Sequence, residues 1–216
     1  MRTLAIAALA VVVACGRAPL PDPPPNDELL ARAAAARRGA YPRWATREQS
    51  YWTVFGVGGG AADGLINTDG MVEAAAGAWS LEPFVVVDGR WITWADVDTT
   101  QSLADGALPV PSVTWRHAAF TLEITAFAAG LASDPVAYVR YRLTPAAGGG
   151  RVGLRVALRP LQVLPPWQDL NVTGGVGRLP ALARDGATLD VGARRLVVAP
   201  APADWTPLPF EEPALG

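Results

Sequence analysis

The chain has 216 residues, of which 50% are hydrophobic, and a formal net charge of −2. This composition suits one globular domain with a substantial core, and the absence of a basic stripe argues against a nucleic acid partner. Because all 18 basic residues are arginines, the chain has no lysine to serve as a Schiff base, a general base or a P-loop cation.

The N-terminus has the features of a bacterial lipoprotein signal. Arg2 precedes an unbroken apolar run over residues 4–14, and the run is followed by Cys15, the only cysteine. A charged start, a short apolar core and small residues before the cleavage point define a secretory signal, and the run is shorter than the ~20 residues of a spanning helix. We therefore expect residues 1–14 to be removed and Cys15 to be acylated, which would anchor the protein to a lipid membrane in the cell envelope, at the outer membrane or another extracytoplasmic face. An ordinary signal peptide, with Cys15 incidental, is the alternative.

Two segments are predicted between the cysteine and the main domain. Residues 15–25 are rich in proline, which fixes φ and favours an extended polyproline II tether. A helix is predicted over residues 26–39, because Asn26 is a good N-cap, acidic residues fill the first turn, arginines fill the last, and Gly39 can end it. One face of this helix either leans on the domain or stays in solvent.

Alternation of apolar and polar residues dominates from residue 48 to residue 200 and predicts an all-β fold, an antiparallel β-sandwich. Asp88-Gly89 lies between two β-rich segments and indicates a two-residue hairpin, because a type I′ turn needs positive φ at both central positions. The predicted strands cover residues 51–57, 81–87, 90–94, 112–116, 120–127, 136–143, 151–159, 188–191 and 195–199.

The segment 151–159 shows the clearest alternation. Its apolar residues are expected to face the core and its arginines the solvent, with Val152, Leu154, Val156 and Leu158 on one side and Arg151, Arg155 and Arg159 on the other. Segments 57–78, 99–111 and 160–180 interrupt the pattern and are predicted to be long loops, which are usually functional or interface-forming. The proline-rich residues 201–216 are expected to lead into a further, C-terminal part of the protein.

The sequence offers few groups for catalysis. His117 is the only histidine and falls at a predicted hairpin turn, where a bond to its own backbone is the simplest role, and zinc sites need several His or Cys ligands. Asp96 and Asp98 share one side of an extended chain and would serve as a glycosidase acid–base pair, a turn-capping pair or a calcium site. The glycine-rich string 56–61 lacks the following helix of a dinucleotide site. We therefore expect no catalytic residue, no metal and no cofactor.

Aromatic residues are the strongest pointer to a ligand. An exposed indole is a flat apolar plate on which a sugar ring can stack. The candidate carbohydrate-binding residues are Trp91, Trp94, Asp96, Trp115 and Trp167. Trp91 and Trp94 lie on opposite faces of an extended segment, so at least one of them should be exposed or in an interface. Filling of the sandwich core or of a domain interface is the competing role.

A resemblance rests on the strings YWTVFGV (51–57), LEPFVVVDGRWITWADVDTTQSLADGALPVPSVTW (81–115) and LPPWQDLN (164–171). They resemble the N-terminal β-supersandwich of bacterial secreted six-hairpin, (α/α)6-barrel glycosidase-like proteins, some of which also carry discoidin-type (coagulation factor 5/8 C-type) sugar-binding modules. The resemblance spans residues 48–200. It implies a parent glycosidase whose catalytic carboxylates lie in a helical barrel, and it assigns no catalytic residue to this chain.

These observations predict the N-terminal accessory domain of a lipid-anchored, carbohydrate-active protein, which packs against a C-terminal helical barrel and is not catalytic by itself. The alternative is a free-standing carbohydrate-binding or adhesion lipoprotein. A third possibility is an envelope-assembly factor without a sugar ligand.

Overall fold

The computed structural model describes residues 25–60, 62–75, 77–168, 174–177, 179 and 181–207. Over these residues the chain consists mainly of antiparallel strands, so the predicted all-β, sandwich-like fold is confirmed. The predicted signal peptide, Cys15 and the tether up to residue 24 lie outside the described residues, as do residues 208–216.

The described residues begin with the helix α1 (Pro25–Ala36), and short 3₁₀ helices follow at Arg43–Thr46 and Trp94–Asp96. The strands are β1 (Trp52–Gly56), β2 (Asp63–Asn67), β3 (Val72–Glu73), β4 (Ser80–Val87), β5 (Arg90–Ile92), β6 (Asp98–Ala104), β7 (Leu108–His117), β8 (Phe120–Leu131), β9 (Asp134–Pro145), β10 (Val152–Arg159), β11 (Leu182–Asp185), β12 (Thr188–Val191) and β13 (Arg194–Val197).

The strands form three antiparallel sheets. The main sheet has the order β1-β2-β3-β4-β10, with β5 also paired to β4. The outer sheet has the order β6-β7-β8-β9, and a small sheet has the order β11-β12-β13. The main and outer sheets share a core in which side chains such as Phe55, Ile66, Val85, Leu122 and Ile124 are almost completely buried. Burial of apolar surface at about 25 cal/mol per Å² makes this core the main source of stability.

The second face of the main sheet is also covered, which strand alternation alone does not predict. Residues 25–48, here called the N-terminal cover, pack on it through Leu30, Ala34 and Trp44, together with the segment 161–164. The indole N–H of Trp44 donates to the carbonyl oxygen of Gln162 at 2.8 Å. The main sheet is therefore the middle layer of three, and the predicted helix is part of the fold.

Two expectations for β10 are wrong. Arg159, expected in solvent, lies under the N-terminal cover, where it forms a bidentate ion pair with Glu82 and donates to the carbonyl oxygen of Ala40 at 2.7 Å. Val156, expected in the core, is 39% exposed. The reason is that Leu154 packs on the sandwich core and Leu158 on the small sheet, so Val156 falls between two cores.

The predicted helix 26–39 is too long at its C-terminal end, because α1 stops at Ala36. Gly39 instead has a φ of +90°, and a Cβ there would overlap the hydroxyl of Thr93. Glycine at this position therefore both reverses the chain and lets the N-terminal cover approach the 3₁₀ helix Trp94–Asp96.

Two predicted loops are wrong. Segment 57–78 contains β2 and β3, and segment 99–111 contains most of β6 and the start of β7. β6 lies at a sheet edge and is largely exposed on both faces, whereas β2 is buried at every position after the first. Neither strand therefore shows the alternation that reveals a half-buried strand. Segment 160–180 has no helix or strand within its described residues, apart from one bridge between Leu161 and Val176.

The predicted hairpins are present. Asp88 and Gly89 have φ values of 49° and 84°, as a type I′ turn requires. β12 and β13 pair around Gly192-Ala193 as expected. A further two-residue turn, Ala118-Ala119, joins β7 to β8.

Candidate functional site

Two of the candidate tryptophans belong to the core. Trp115 is 1% exposed and Trp94 is 8% exposed. Their indole N–H groups donate to the carbonyl oxygens of Asp69 and Tyr41, each at 2.9 Å. The expectation that these two rings offer a plate to a sugar is therefore wrong, and the competing role of filling the core is correct for both.

Two arginines of the N-terminal cover lie over the ring of Trp94. The guanidinium carbons of Arg43 and Arg38 lie 4.2 Å and 4.9 Å from the Trp94 ring centroid. Arg43 also pairs with the buried carboxylate of Asp69 through bonds of 2.6 and 3.1 Å. Burial lowers the pKa of Arg43, but Asp69 and Glu48 outweigh it, so the net pKa is raised. This cluster holds the N-terminal cover against the rest of the domain and does not form a ligand pocket.

The remaining candidate tryptophans are more accessible. Trp91 is half-buried on β5 and meets Phe84 edge to face, with the ring centroids 6.1 Å apart. Trp167 is 55% exposed. It sits in a tight turn closed by a bond from the backbone N–H of Gln168 to the carbonyl oxygen of Pro165. Trp167 is thus the predicted residue that best fits a stacking plate.

Asp96 lies in an open depression of about 350 Å³ between the 3₁₀ helix Trp94–Asp96, the start of β6 and the end of β7. We call this depression the polar groove. It is lined by Ala95, Asp96, Val97, Asp98, Arg116, His117 and Ala118. Sequence reasoning considers the Asp96–Asp98 pair and His117 separately, and the structure places all three along this groove. Arg116 joins them through the β6–β7 register, in which it faces Asp98.

Several groups of the polar groove already have structural partners. Asp96 Oδ2 accepts bonds from the backbone N–H and the hydroxyl of Thr93, both at 2.9 Å, which completes a capping box. The Nδ1 of His117 accepts a bond from the backbone N–H of Ala119 at 3.1 Å, so the predicted bond to its own turn is confirmed. Neutral His117 therefore carries its proton on Nε2, which is left as a donor.

The polar groove offers side chains that can form hydrogen bonds with hydroxyl groups. Arg116 and His117 supply donors, and Asp98 supplies acceptor oxygens. Asp96 serves as a cap, which is one of the roles weighed for the Asp96–Asp98 pair. Among the described residues, no three His, Cys, Asp or Glu side chains converge as they would around a metal ion.

The acids that sequence reasoning missed are the buried ones. Asp69, Glu73 and Glu82 are 3%, 1% and 5% exposed. Glu73 accepts bonds from the backbone N–H groups of Val163 at 2.9 Å and Ala78 at 3.2 Å, which fixes the segment 161–164 on the main sheet. Burial raises the pKa of Glu73, and these backbone donors oppose the rise. No local pattern marks such residues, because their partners are distant in sequence.

The chain matches no model of a known protein family, no curated protein and no solved structure. Within the part of the chain that the structure describes, no helix combines the length and the apolar character needed to cross a bilayer.

Proposed function

We propose that this chain is a non-catalytic β-sandwich domain of a carbohydrate-active protein in the bacterial cell envelope, anchored by lipid at Cys15. In this proposal it packs against a helical barrel and contributes sugar contacts rather than chemistry. The all-β architecture and the resemblance over residues 48–200 support the proposal.

The observation that carries the proposal is the setting of Trp167. The chain just before it is rigidly held, since Leu161, Val163 and Leu164 are buried against the N-terminal cover and the main sheet. Trp167 is 55% exposed and lies on a turn that is already held in place. Binding of a flat apolar ligand face to its indole therefore costs little conformational entropy of the protein. Sugar rings present such a face.

The proposed lack of catalysis follows from how the acids are used. Asp96 caps a 3₁₀ helix, and Asp69 and Glu82 are buried in ion pairs with arginines. Glycoside hydrolysis needs two carboxyl groups that face each other across a substrate at about 5–10 Å. These three carboxylates are instead engaged in bonds that hold the fold together.

Affinity electrophoresis tests the sugar contact. The full chain, solubilised in detergent, is run through native gels that contain soluble polysaccharides. We expect retardation by at least one polysaccharide, a loss of most of it in Trp167→Ala, and its retention in Trp167→Phe, because phenylalanine keeps a flat ring. Leu108→Ala is the matched control, since Leu108 is a similarly exposed apolar residue (50%) on β7 of the outer sheet.

Two results would contradict the proposal. Trp167→Ala could migrate like the unmodified chain in every retarding gel, which would remove the role of this ring. Release of reducing ends from a retarding polysaccharide by the purified chain would show catalysis, which the proposal excludes.

A further inference from the structure

The outer sheet ends in a long strand whose free edge has no partner in the described part of the chain. β9 pairs with β8 on one side and forms the end of its sheet. The backbone N–H of Ala146, directly after β9, donates to the carbonyl oxygen of Ala119, directly before β8, at 2.8 Å. These two residues continue the β8–β9 register, and a directly opposed pair joined in this way is a hydrogen-bonded pair. Even-numbered residues of β9 therefore bond to β8, and odd-numbered residues direct their backbone groups outward.

Those outward groups are available for pairing. Pro135 has no N–H, but Ala137, Val139, Tyr141 and Leu143 each present an N–H and a C=O at the free edge. None of these four makes a backbone bond outside the β8–β9 ladder with any described residue. An exposed edge of this length is a template for another strand.

The solvent face of the same strand carries apolar side chains. Val136 and Tyr138 are each 47% exposed, and Leu131 at the hairpin is 72% exposed. Tyr138 stacks on Phe127 of β8, with the ring centroids 5.0 Å apart and the planes 10° from parallel. This cluster is centred on β9, so a strand that pairs with β9 would also cover apolar surface.

Two exposed charges of β9 are unpaired, and they have opposite signs. Arg140 binds Glu123 at 3.0 Å, whereas Asp134 and Arg142 make no ion pair with any described residue. Consider β9 paired in antiparallel fashion with β9 of a second copy around a two-fold axis at Tyr138. The numbers of any two residues that face each other across this interface then have the same sum. Asp134 then faces Arg142 of the other copy, and Tyr138 faces Tyr138.

Four neighbouring registers pair the free charges less well. Centring the axis on Ala137 would place Asp134 against Arg140, which already binds Glu123, and would leave Arg142 opposite residue 132 of the hairpin loop. Centring the axis on Arg140 would place Arg140 against Arg140, and centring it on Tyr141 would place Arg140 against Arg142, which is repulsive in both cases. Centring it on Val139 would leave Asp134 opposite Thr144. The register at Tyr138 is the one that pairs both free charges and bonds the outward groups of Ala137 and Val139.

We propose that β9 is a homodimer interface, in which two copies of this chain join their outer sheets through antiparallel β9–β9 pairing centred on Tyr138. Because one strand pair and its flanking side chains form a small interface, the dimer forms reversibly and depends on concentration.

Disulfide trapping tests the register. All variants are made in the full chain carrying Cys15→Ser, so that the introduced thiol is the only one. In the proposed register Tyr138 faces its copy in a non-hydrogen-bonded pair, where the Cα atoms lie about 4.5 Å apart, a separation that permits a disulfide. We expect Tyr138→Cys to form a crosslinked dimer on mild oxidation, and Arg142→Cys, displaced along the strand, to form at least tenfold less. Equal crosslinking of the two would overturn the proposal.

Charge exchange tests the pairing without a covalent bond. In sedimentation experiments, Asp134→Arg or Arg142→Asp should weaken dimerisation at least tenfold, because each places like charges across the interface. The double variant Asp134→Arg/Arg142→Asp should recover it to within a few-fold. Asp185→Arg, an equal charge change on the exposed strand β11, is the control and should have no effect.

Circular dichroism checks that the variants fold, which we expect because both side chains are exposed. A monomer at every concentration, or a double variant as weak as the singles, would overturn the proposal. Neither result would bear on sugar binding by Trp167, so this proposal and the proposed function fail separately.

Discussion

Arg159 and Glu82 form the most deeply buried ion pair among the described residues, with side chains 13% and 7% exposed. Arg159→Ala would leave the Glu82 carboxylate buried without its cation, and the loss of one partner of such a pair costs about 3–5 kcal/mol. We expect a decrease of this size in the free energy of unfolding, measured by urea denaturation.

Two further variants separate the pair from a general loss of side chain. Glu82→Met/Arg159→Met should recover much of the stability, because removing both charges also removes their desolvation. Arg195→Ala breaks the exposed pair with Asp190 and should leave the unfolding midpoint within experimental error. If the Arg159→Ala variant is as stable as the unmodified chain, the Arg159–Glu82 ion pair does not form in solution.

Glu73 should make stability depend on pH. Burial raises its pKa in the folded chain above the ordinary value of about 4.3, so the folded state holds its proton over a window in which the unfolded state has lost it. The stability from this group is fully present below the unfolded pKa and is lost as pH rises through the folded pKa. Urea unfolding from pH 4 to 8 should therefore show a decline that Glu73→Gln removes.

The control for this titration is Glu28→Gln on the exposed side of α1, which should keep the decline. Glu48 has the opposite sign, because Arg38 lowers its pKa, so its contribution is lost as pH falls through that lowered value. The two effects therefore occupy different pH ranges. Parallel curves for Glu73→Gln and the unmodified chain above pH 4.3 would contradict the assignment.

At this scale the sequence is informative where the partner is local. The bond of His117 to its own turn and the capping role of Asp96 both follow from short-range spacing. The burial of Trp94 does not, because it depends on a cover formed about fifty residues earlier in the chain. Arg159 likewise acquires its partner Ala40 from a distant segment.

Among the elements, β10 offers a matched pair of substitutions. Leu154 and Val156 lie two residues apart on one side of the strand, but Leu154 packs on the sandwich core whereas Val156 is 39% exposed. Leu154→Asp should destabilise the domain by roughly 3 kcal/mol, because it places a charge against apolar surface. Val156→Asp should cost far less. Thermal unfolding that shifts equally for both variants would contradict the observed register.

The elements that alternation predicts are those with one buried and one open face. β8 shows this pattern and begins at Phe120 as expected, although it continues to Leu131, beyond the predicted end at residue 127. The turn at Asp88-Gly89 has the expected positive φ values. β2 and β6 escape detection because one is buried on both sides and the other is open on both sides. The start of β6 lines the polar groove. Because this strand was missed, the position of Arg116 opposite Asp98 could not be predicted from the sequence.

For the whole molecule, the lipid anchor is the prediction with the largest consequence. Cys15→Ser should abolish incorporation of labelled palmitate and move the protein from the membrane fraction to the soluble fraction, since the acylation site is lost. Ala18→Ser, a similarly small change nearby, should do neither. Continued membrane retention of Cys15→Ser after a high-salt wash would refute the anchor.

The architecture as a whole is only partly readable from the sequence. The sandwich follows from the two-residue period, but the third layer does not, because α1 packs on the main sheet through a few small and apolar side chains, such as Leu30 and Ala34, among its described residues. The amphipathic signal of this helix is weak, and its docking is decided by Trp44 and Arg43, which follow it.

The N-terminal cover also gives the domain a defined mechanical response. Tension applied at residue 25 first peels away α1, whose described buried side chains are small in number. The load then meets the Trp44–Gln162 bond, which ties the cover to the segment 161–164, and the Arg43–Asp69 pair, which ties it to the turn between β2 and β3. Tension from the N-terminal side is thus transmitted to the core of the fold.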